Sequence, residues 1–265
     1  MSKRVHSPGR RQHLQAALGL LAAPVFATED HTGGDPLGSM QYPSLRNQMI
    51  GRAEARFTDQ VVVKGPAFAD DAMNVPIWVD ARALGEPVRN IRVAVDRNPI
   101  REVLSYEPRR ALPVLGFRIR LQQASPIRAF VQVDSGRWFV GSTFVQASGG
   151  GCTVPGVSRA DGSWSRTLGQ VQARFFRLPG SSSERLRLRV MHPMDTGLAP
   201  GIPAFHLEWL ELATLDGVTW WRLGLHEPVS ENPLFTFELM PPRPAAFRLK
   251  GADNNGHRID AEVAA

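Results

Sequence analysis

Apolar and polar residues alternate with a period of two along most of the chain, the spacing of strands with one face in a core and the other in water. Val75-Pro76-Ile77-Trp78-Val79 and Ile91-Arg92-Val93-Ala94-Val95 read as strands, and Gly116-Phe117-Arg118-Ile119-Arg120-Leu121 alternates cleanly. Ile127–Val133 and Trp138–Gln146 follow, with the turn Asp134-Ser135-Gly136 between them. The pattern returns at Val171–Phe176, Arg185–Met191, His206–Leu215, Val218–Leu223, Leu234–Leu239, Ala246–Leu249 and Ile259–Val263. Pro179-Gly180-Ser181-Ser182-Ser183 and Asn254-Asn255-Gly256 mark turns, and Asp216-Gly217 marks a hairpin.

Thr153–Gly169 interrupts this pattern with Pro, Gly, Ser and Thr around one tryptophan, Trp164, and reads as a linker. Each flanking half has roughly 100 residues, the size of one immunoglobulin-like sandwich. The expectation is therefore an all-β protein of two immunoglobulin-like β-sandwich domains in tandem, over 57–152 and 170–265. Residues 28–56 read as a leader. Its first part, His31–Gln41, is polar and expected to be loose, and Pro43–Ile50 is expected to form a short helix capped by Ser44. The apolar content, 43%, suffices for two ordinary cores.

The N-terminus changes the picture. Lys3, Arg4, Arg10 and Arg11 precede the apolar run Leu14–Ala23, and Val25-Phe26-Ala27 offers a small-residue cleavage pattern. Residues 1–27 read as an export signal, too short in its apolar part to span a bilayer. Arg10-Arg11 adds a partial twin-arginine pattern. A periplasmic protein without stable membrane insertion is expected. The formal charge is +6 and the signal carries four of the cations and no acid, so the mature chain is +6 − 4 = +2. That removes the main electrostatic support for nucleic-acid binding. Arg118, Arg120, Arg187 and Arg189 alternate with apolar residues and read as the wet faces of strands.

An exported chain usually pairs its cysteines, yet this one has a single cysteine, Cys152. It stands in Ser148-Gly149-Gly150-Gly151-Cys152-Thr153-Val154-Pro155-Gly156, after a strand and before the linker. Gly149, Gly150 and Gly151 read as a flexible arm that reaches on the order of 15 Å and presents a solvated thiol with an ordinary pKa. The bland alternative is a small buried hydrophobe. Met191-His192-Pro193-Met194-Asp195-Thr196-Gly197 carries soft-metal donors, so Met191, His192 and Met194 are candidate copper ligands, against a packed corner. A Cys–His–Asp arrangement of Cys152, His192 or His206, and Asp195 is conceivable, but a mobile arm positions a nucleophile poorly. His226, His31 and His257 read as loop or turn residues. No CxxC, HExxH or phosphate-cradling loop occurs, so no cofactor is expected.

Val190-Met191-His192-Pro193-Met194-Asp195-Thr196-Gly197-Leu198 resembles the opening of SoxZ, a subunit of the bacterial sulfur-oxidation carrier. The similarity continues through Ser230–Phe237 and Asp253–Glu262. Phe117-Arg118-Ile119-Arg120-Leu121 and Gly150-Gly151-Cys152 resemble the late strand and carrier cysteine of SoxY. The order is similar to that of fused SoxYZ-like carriers associated with quinoprotein dehydrogenases. The resemblance implies a non-enzymatic carrier that holds sulfur intermediates on Cys152 as S-conjugates. Its partners would be periplasmic sulfur-oxidation enzymes or a quinoprotein dehydrogenase system. In SoxY the cysteine lies on a free C-terminal tail, whereas here Thr153-Val154-Pro155 and a whole further half follow it.

Overall fold

The computed structural model describes residues 1–2, 32–177 and 179–264. The signal read at residues 1–27 lies outside them except for Met1 and Ser2, as does His31. No helix among the described residues is long and apolar enough to cross a membrane.

Helix α1 (Tyr42–Ile50) is followed by β1 (Ala55–Phe57), β2 (Val62–Lys64), β3 (Phe68–Ala69), β4 (Val75–Asp80), β5 (Val88–Val95), β6 (Glu102–Glu107), β7 (Ala111–Ile119), β8 (Ser125–Val133) and β9 (Trp138–Ala147). Two single-turn helices, α2 (Val157–Ala160) and α3 (Trp164–Thr167), occupy the segment read as a linker. The second half supplies β10 (Val171–Arg177), β11 (Glu184–Val190), β12 (Leu207–Thr214), β13 (Thr219–Leu225), β14 (Leu234–Leu239), β15 (Ala246–Asp253) and β16 (Arg258–Ala264). The protein is mostly β, as the period-two pattern requires.

Among the described residues the strands form two sheets. One is ordered β1-β9-β8-β5-β6-β13-β12-β15-β16, with β3 also on β9, and the other is β10-β11-β14-β7-β4-β2. Both sheets cross from one half of the sequence to the other. In the larger sheet β6 pairs antiparallel with β13, Tyr106 facing Leu223. In the smaller sheet β7 pairs antiparallel with β14, Gly116 facing Thr236. One hydrophobic cluster runs between the sheets and includes Ile91, Val93, Tyr106 and Phe117 with Leu188, Trp221, Phe237 and Leu249. Trp221 stacks on Phe237 at 4.1 Å between ring centres, and Tyr106 from the first half meets Phe237 at 5.7 Å. Each such fully buried aromatic contributes about 1.5–3 kcal/mol by leaving water. The chain from 32 onward is one compact unit.

The leader departs from expectation. The helix forms, but Ser44 does not cap it: the N-cap position is Gln41, without a side-chain cap bond, and Pro43 stands in the first turn, where its missing N–H costs nothing. Tyr42, Leu45 and Met49 pack on Ala94, Phe130 and Val140, the outer face of the larger sheet. Nor is the polar stretch before the helix loose around Asp35, which is buried and paired with Arg128 of β8. Asp35 and Asp96 offset the cost of burying the Arg128 charge, and the Asp35 pair fastens the leader to the sheet.

Candidate site around Cys152

Beyond the end of β7 the chain runs on through Arg120, Leu121 and Gln122, and the glycine segment folds back along it. The Gly151 N–H donates to Leu121 O at 2.9 Å and the Gly150 N–H to Gln122 O at 3.0 Å. The Cys152 N–H donates to Gln122 Oε1 at 3.2 Å. Asn98 clamps the same place, donating to Arg120 O at 2.8 Å and accepting from the Gln122 N–H at 2.9 Å. These bonds replace the flexible arm expected at Gly149, Gly150 and Gly151. The glycines serve close approach. A Cβ on Gly151 would lie 2.1 Å from Ala72 O, and one on Gly149 would lie 2.7 Å from Gln122 O. Gly149 and Gly150 also take φ of 98° and 85°, the left-handed region that other residues avoid.

The thiol is therefore not solvated. Cys152 is 2% exposed, and its Sγ points at Arg120 O, 3.8 Å away. Burial pushes the Cys152 thiol up to about 11, and the positive charge of Arg120 offsets part of that rise.

Arg120 is the second correction. Strand alternation places it outside with Arg118, Arg187 and Arg189, and those three are exposed, but Arg120 is 1% exposed. It lies just past β7, where the segment after Cys152 crosses over it. Its Nη1 donates to Gly151 O at 3.3 Å and to Val154 O at 3.2 Å, and its Nη2 donates to Pro193 O at 3.4 Å. Among the described residues no acceptor meets its Nε.

The segment 153–169 is docked on the second half. The Ser158 N–H donates to Glu231 at 2.7 Å. Arg159 pairs with buried Asp195, Nε to Oδ2 at 2.8 Å, and lies over the Trp164 ring at 4.2 Å from its centre. Trp164 meets Phe205 edge-on at 5.8 Å. Thr196 Oγ1 donates to the Cys152 carbonyl at 2.6 Å. The Met191–Gly197 segment, singled out for possible metal chemistry, holds the cysteine segment through Asp195 and Thr196 and meets Arg120 through Pro193 O.

The donor atoms of His192 and Met194 are engaged. Met194 is fully buried and its Sδ accepts the Leu207 N–H at 3.4 Å. His192 Nδ1 accepts the Met194 N–H at 3.1 Å, so the neutral ring carries its proton on Nε2, which faces Asp253 Oδ2 at 3.4 Å. Burial lowers the His192 pKa to about 4, against the pull of Asp253. A copper ion held by Met191, His192 and Met194 would have to displace these hydrogen bonds of His192 and Met194. Among the described residues no three of His, Cys, Asp and Glu gather as a metal site. The catalytic triad also fails: the acid beside His192 is Asp253, Asp195 serves Arg159, and His206 lies near Glu227.

Cys152 thus sits at the end of the first half, where a second-half loop covers it. Residues 46–152 match the family model described as sulfur oxidation protein SoxY. The SoxY match begins inside α1 and stops on Cys152. No curated protein matches the sequence. The sulfur carrier protein SoxY from Chlorobium limicola f. thiosulfatophilum is similar at 19% identity, over 39% of this chain and 88% of that one, with a TM-score of 0.34. A candidate superoxide reductase from Thermotoga maritima is similar at 16% identity, over 36% of this chain and 94% of that one, with a TM-score of 0.31.

Proposed function

We propose that this protein is a covalent sulfur carrier: Cys152 holds a sulfur-containing intermediate that partner enzymes load and process, and the chain itself catalyses nothing. The observation that carries this reading is the end point of the SoxY match, which falls on the sole cysteine of the chain. The halves 57–152 and 170–265 are then SoxY-like and SoxZ-like modules whose sheets have merged edge to edge. Sulfur-oxidation enzymes or a quinoprotein dehydrogenase system of the periplasm are the partners. In this reading the closed site is a resting state. Residues 149–169 lift as a local unit, which needs the loss of the buried Arg120–Gly151 and Thr196–Cys152 hydrogen bonds and of the Arg159–Asp195 ion pair but leaves the core between the sheets in place. Covering the bare thiol protects it from stray oxidation between rounds, since the thiolate is the species that oxidises.

One observation favours a second reading. A thiol 2% exposed with its pKa pushed up to about 11 has the profile of a packing residue. The chain would then be a non-covalent accessory module of a quinoprotein dehydrogenase. Cys152→Ser separates the two. The carrier reading expects a normally folded protein and loss of the pathway activity that depends on it. Unchanged activity in the Cys152→Ser strain selects the accessory module.

A further inference from the structure

Residues directly opposite in an antiparallel pair share a face, and like charges placed so are destabilising. On the outer face of the smaller sheet, Arg174 of β10 stands directly opposite Arg187 of β11. The row continues from Arg187 through Thr236 and Gly116 to Trp78 and Lys64. Arg189 and Arg118, each two residues further along its strand, lie on the same face. All five of these cations are exposed. The carboxylates carried by the strands of this sheet are Asp80, Glu184 and Glu238, and they are taken by Arg82, Arg177, Arg185 and Arg243. Lys64, Arg118, Arg174, Arg187 and Arg189 are thus left without an ion pair among the described residues. The larger sheet is built the other way: its registers set Lys250 opposite Asp260, Arg248 opposite Glu262 and Arg222 opposite Glu211.

The unpaired cations frame two grooves. One, of about 360 Å³, is lined by Lys64, Trp78, Gly116, Arg118, Leu234 and Thr236. A Cβ on Gly116 would lie 2.9 Å from Trp78 Cε3, so this glycine lets the half-buried indole lie down on the sheet. The other, of about 380 Å³, lies among Arg174, Phe176, Arg187 and Arg189 and meets the first at Leu234. From β10 to β2 the face is six strands wide, about 24 Å, the scale of a protein interface rather than of a small anion. We propose that this face docks a protein partner through an acidic surface patch that also presents an apolar side chain to the grooves. Arginine and tryptophan are the residues that dominate such interfaces, and an anionic partner relieves the Arg174–Arg187 repulsion that the free chain bears. The apolar floor lies below the charges, the reverse of a face that inserts into a bilayer, and a phosphate backbone has nothing to fill it. Arg118 and Arg189 stand where β7 and β11 run on to Arg120 and to the Met191–Gly197 segment, so the docked partner lies toward the Cys152 end of the molecule. Both readings of function above include a protein partner, and this inference depends on neither role of Cys152.

The test measures, by fluorescence anisotropy on the full chain, binding of a labelled acidic peptide with one phenylalanine, Glu-Glu-Asp-Phe-Asp-Glu-Glu, and of its Gln/Asn counterpart. The acidic peptide is expected to bind with an affinity that falls as salt rises, and the neutral one not to bind. Arg187→Glu sets a carboxylate opposite Arg174. It is expected to weaken peptide binding about tenfold or more while raising the urea midpoint of the free chain, a pairing of effects that a structural role for Arg187 does not produce. Lys250→Gln, on the larger sheet, is expected to change binding less than about twofold. Cys152→Ser is expected to leave it unchanged, which keeps this test separate from the fate of the carrier reading. Failure of the acidic peptide to bind, binding that Arg187→Glu leaves intact, or a urea midpoint that falls in Arg187→Glu overturns the proposal. So does tighter binding, at the same salt, to phosphatidylglycerol vesicles or to duplex DNA than to the peptide, if Arg187→Glu abolishes it, because the face then belongs to a membrane or a nucleic acid.

Discussion

Arg128 and Arg120 are both fully buried arginines of the first half, and they are held in opposite ways. Arg128 has two carboxylates: its Nε and Nη2 reach Asp96 at 3.0 and 2.9 Å, and its Nη2 reaches Asp35 at 2.7 Å. Tyr42 and Phe57 lie beside it at 5.0 and 5.9 Å. Those partners keep Arg128 charged despite its burial and lower the pKa of Asp35. Arg120 has carbonyls only, and burial lowers its pKa. The contrast separates a cation in direct contact with two carboxylates from one hydrogen-bonded to carbonyls, which Glu231, Asp195 and Asp71 act on without direct contact.

The comparison can be broken by mutation, and the largest effect belongs to the structural site. Arg128→Met strands two buried carboxylates and is expected to cost about 3–5 kcal/mol, read as a lowered urea midpoint. Arg120→Met removes bonds to carbonyls only and should cost about 1–2 kcal/mol. Equal losses would erase the distinction.

A second prediction concerns the cover. With its pKa near 11, Cys152 in the folded protein should be alkylated at neutral pH about a hundredfold more slowly than in the urea-unfolded chain. Gly151→Ala drives a Cβ against Ala72 O and Leu121 O, so it should cost about 1–3 kcal/mol and speed alkylation by displacing the segment. A variant that alkylates at the wild-type rate would mean that the glycine seat does not control access.

A further prediction concerns pH dependence. His192 titrates near 4 when folded and near 6.5 when unfolded, so the unfolded chain binds the extra proton between those values. Stability is complete above pH 6.5 and falls as the pH drops toward 4, by at most about 1.4 kcal/mol per pH unit for this group. Burial lowers the pKa of His206 in the same direction. Urea midpoints between pH 7 and 5 should show this slope, and His192→Gln should flatten it. An unchanged slope in His192→Gln would place the effect elsewhere.

Much of the strand content is legible in the chain because alternation reports local geometry. Asp134-Ser135-Gly136 and Asp216-Gly217 stand between paired strands, β8 with β9 and β12 with β13. The Met191–Gly197 segment draws attention by composition, and it does lie against the cysteine, for a packing reason that composition does not carry. What alternation does not report is which wet face another segment covers. Arg118 and Arg120 have the same pattern and opposite fates, because 151–154 crosses one and not the other. The glycines before Cys152 mislead in the same way, since glycine serves mobility and close approach alike, and only Ala72 O and Gln122 O decide between them. The pairings β6–β13 and β7–β14 join strands from opposite halves of the chain and leave no local trace.

The most direct test is the mass of the Cys152-bearing peptide in protein recovered from its native compartment without reductant. A carrier predicts one or more sulfur-containing adducts on that peptide, absent in Cys152→Ser. A bare thiol in every preparation, including those from cells actively oxidising sulfur compounds, would contradict the carrier role.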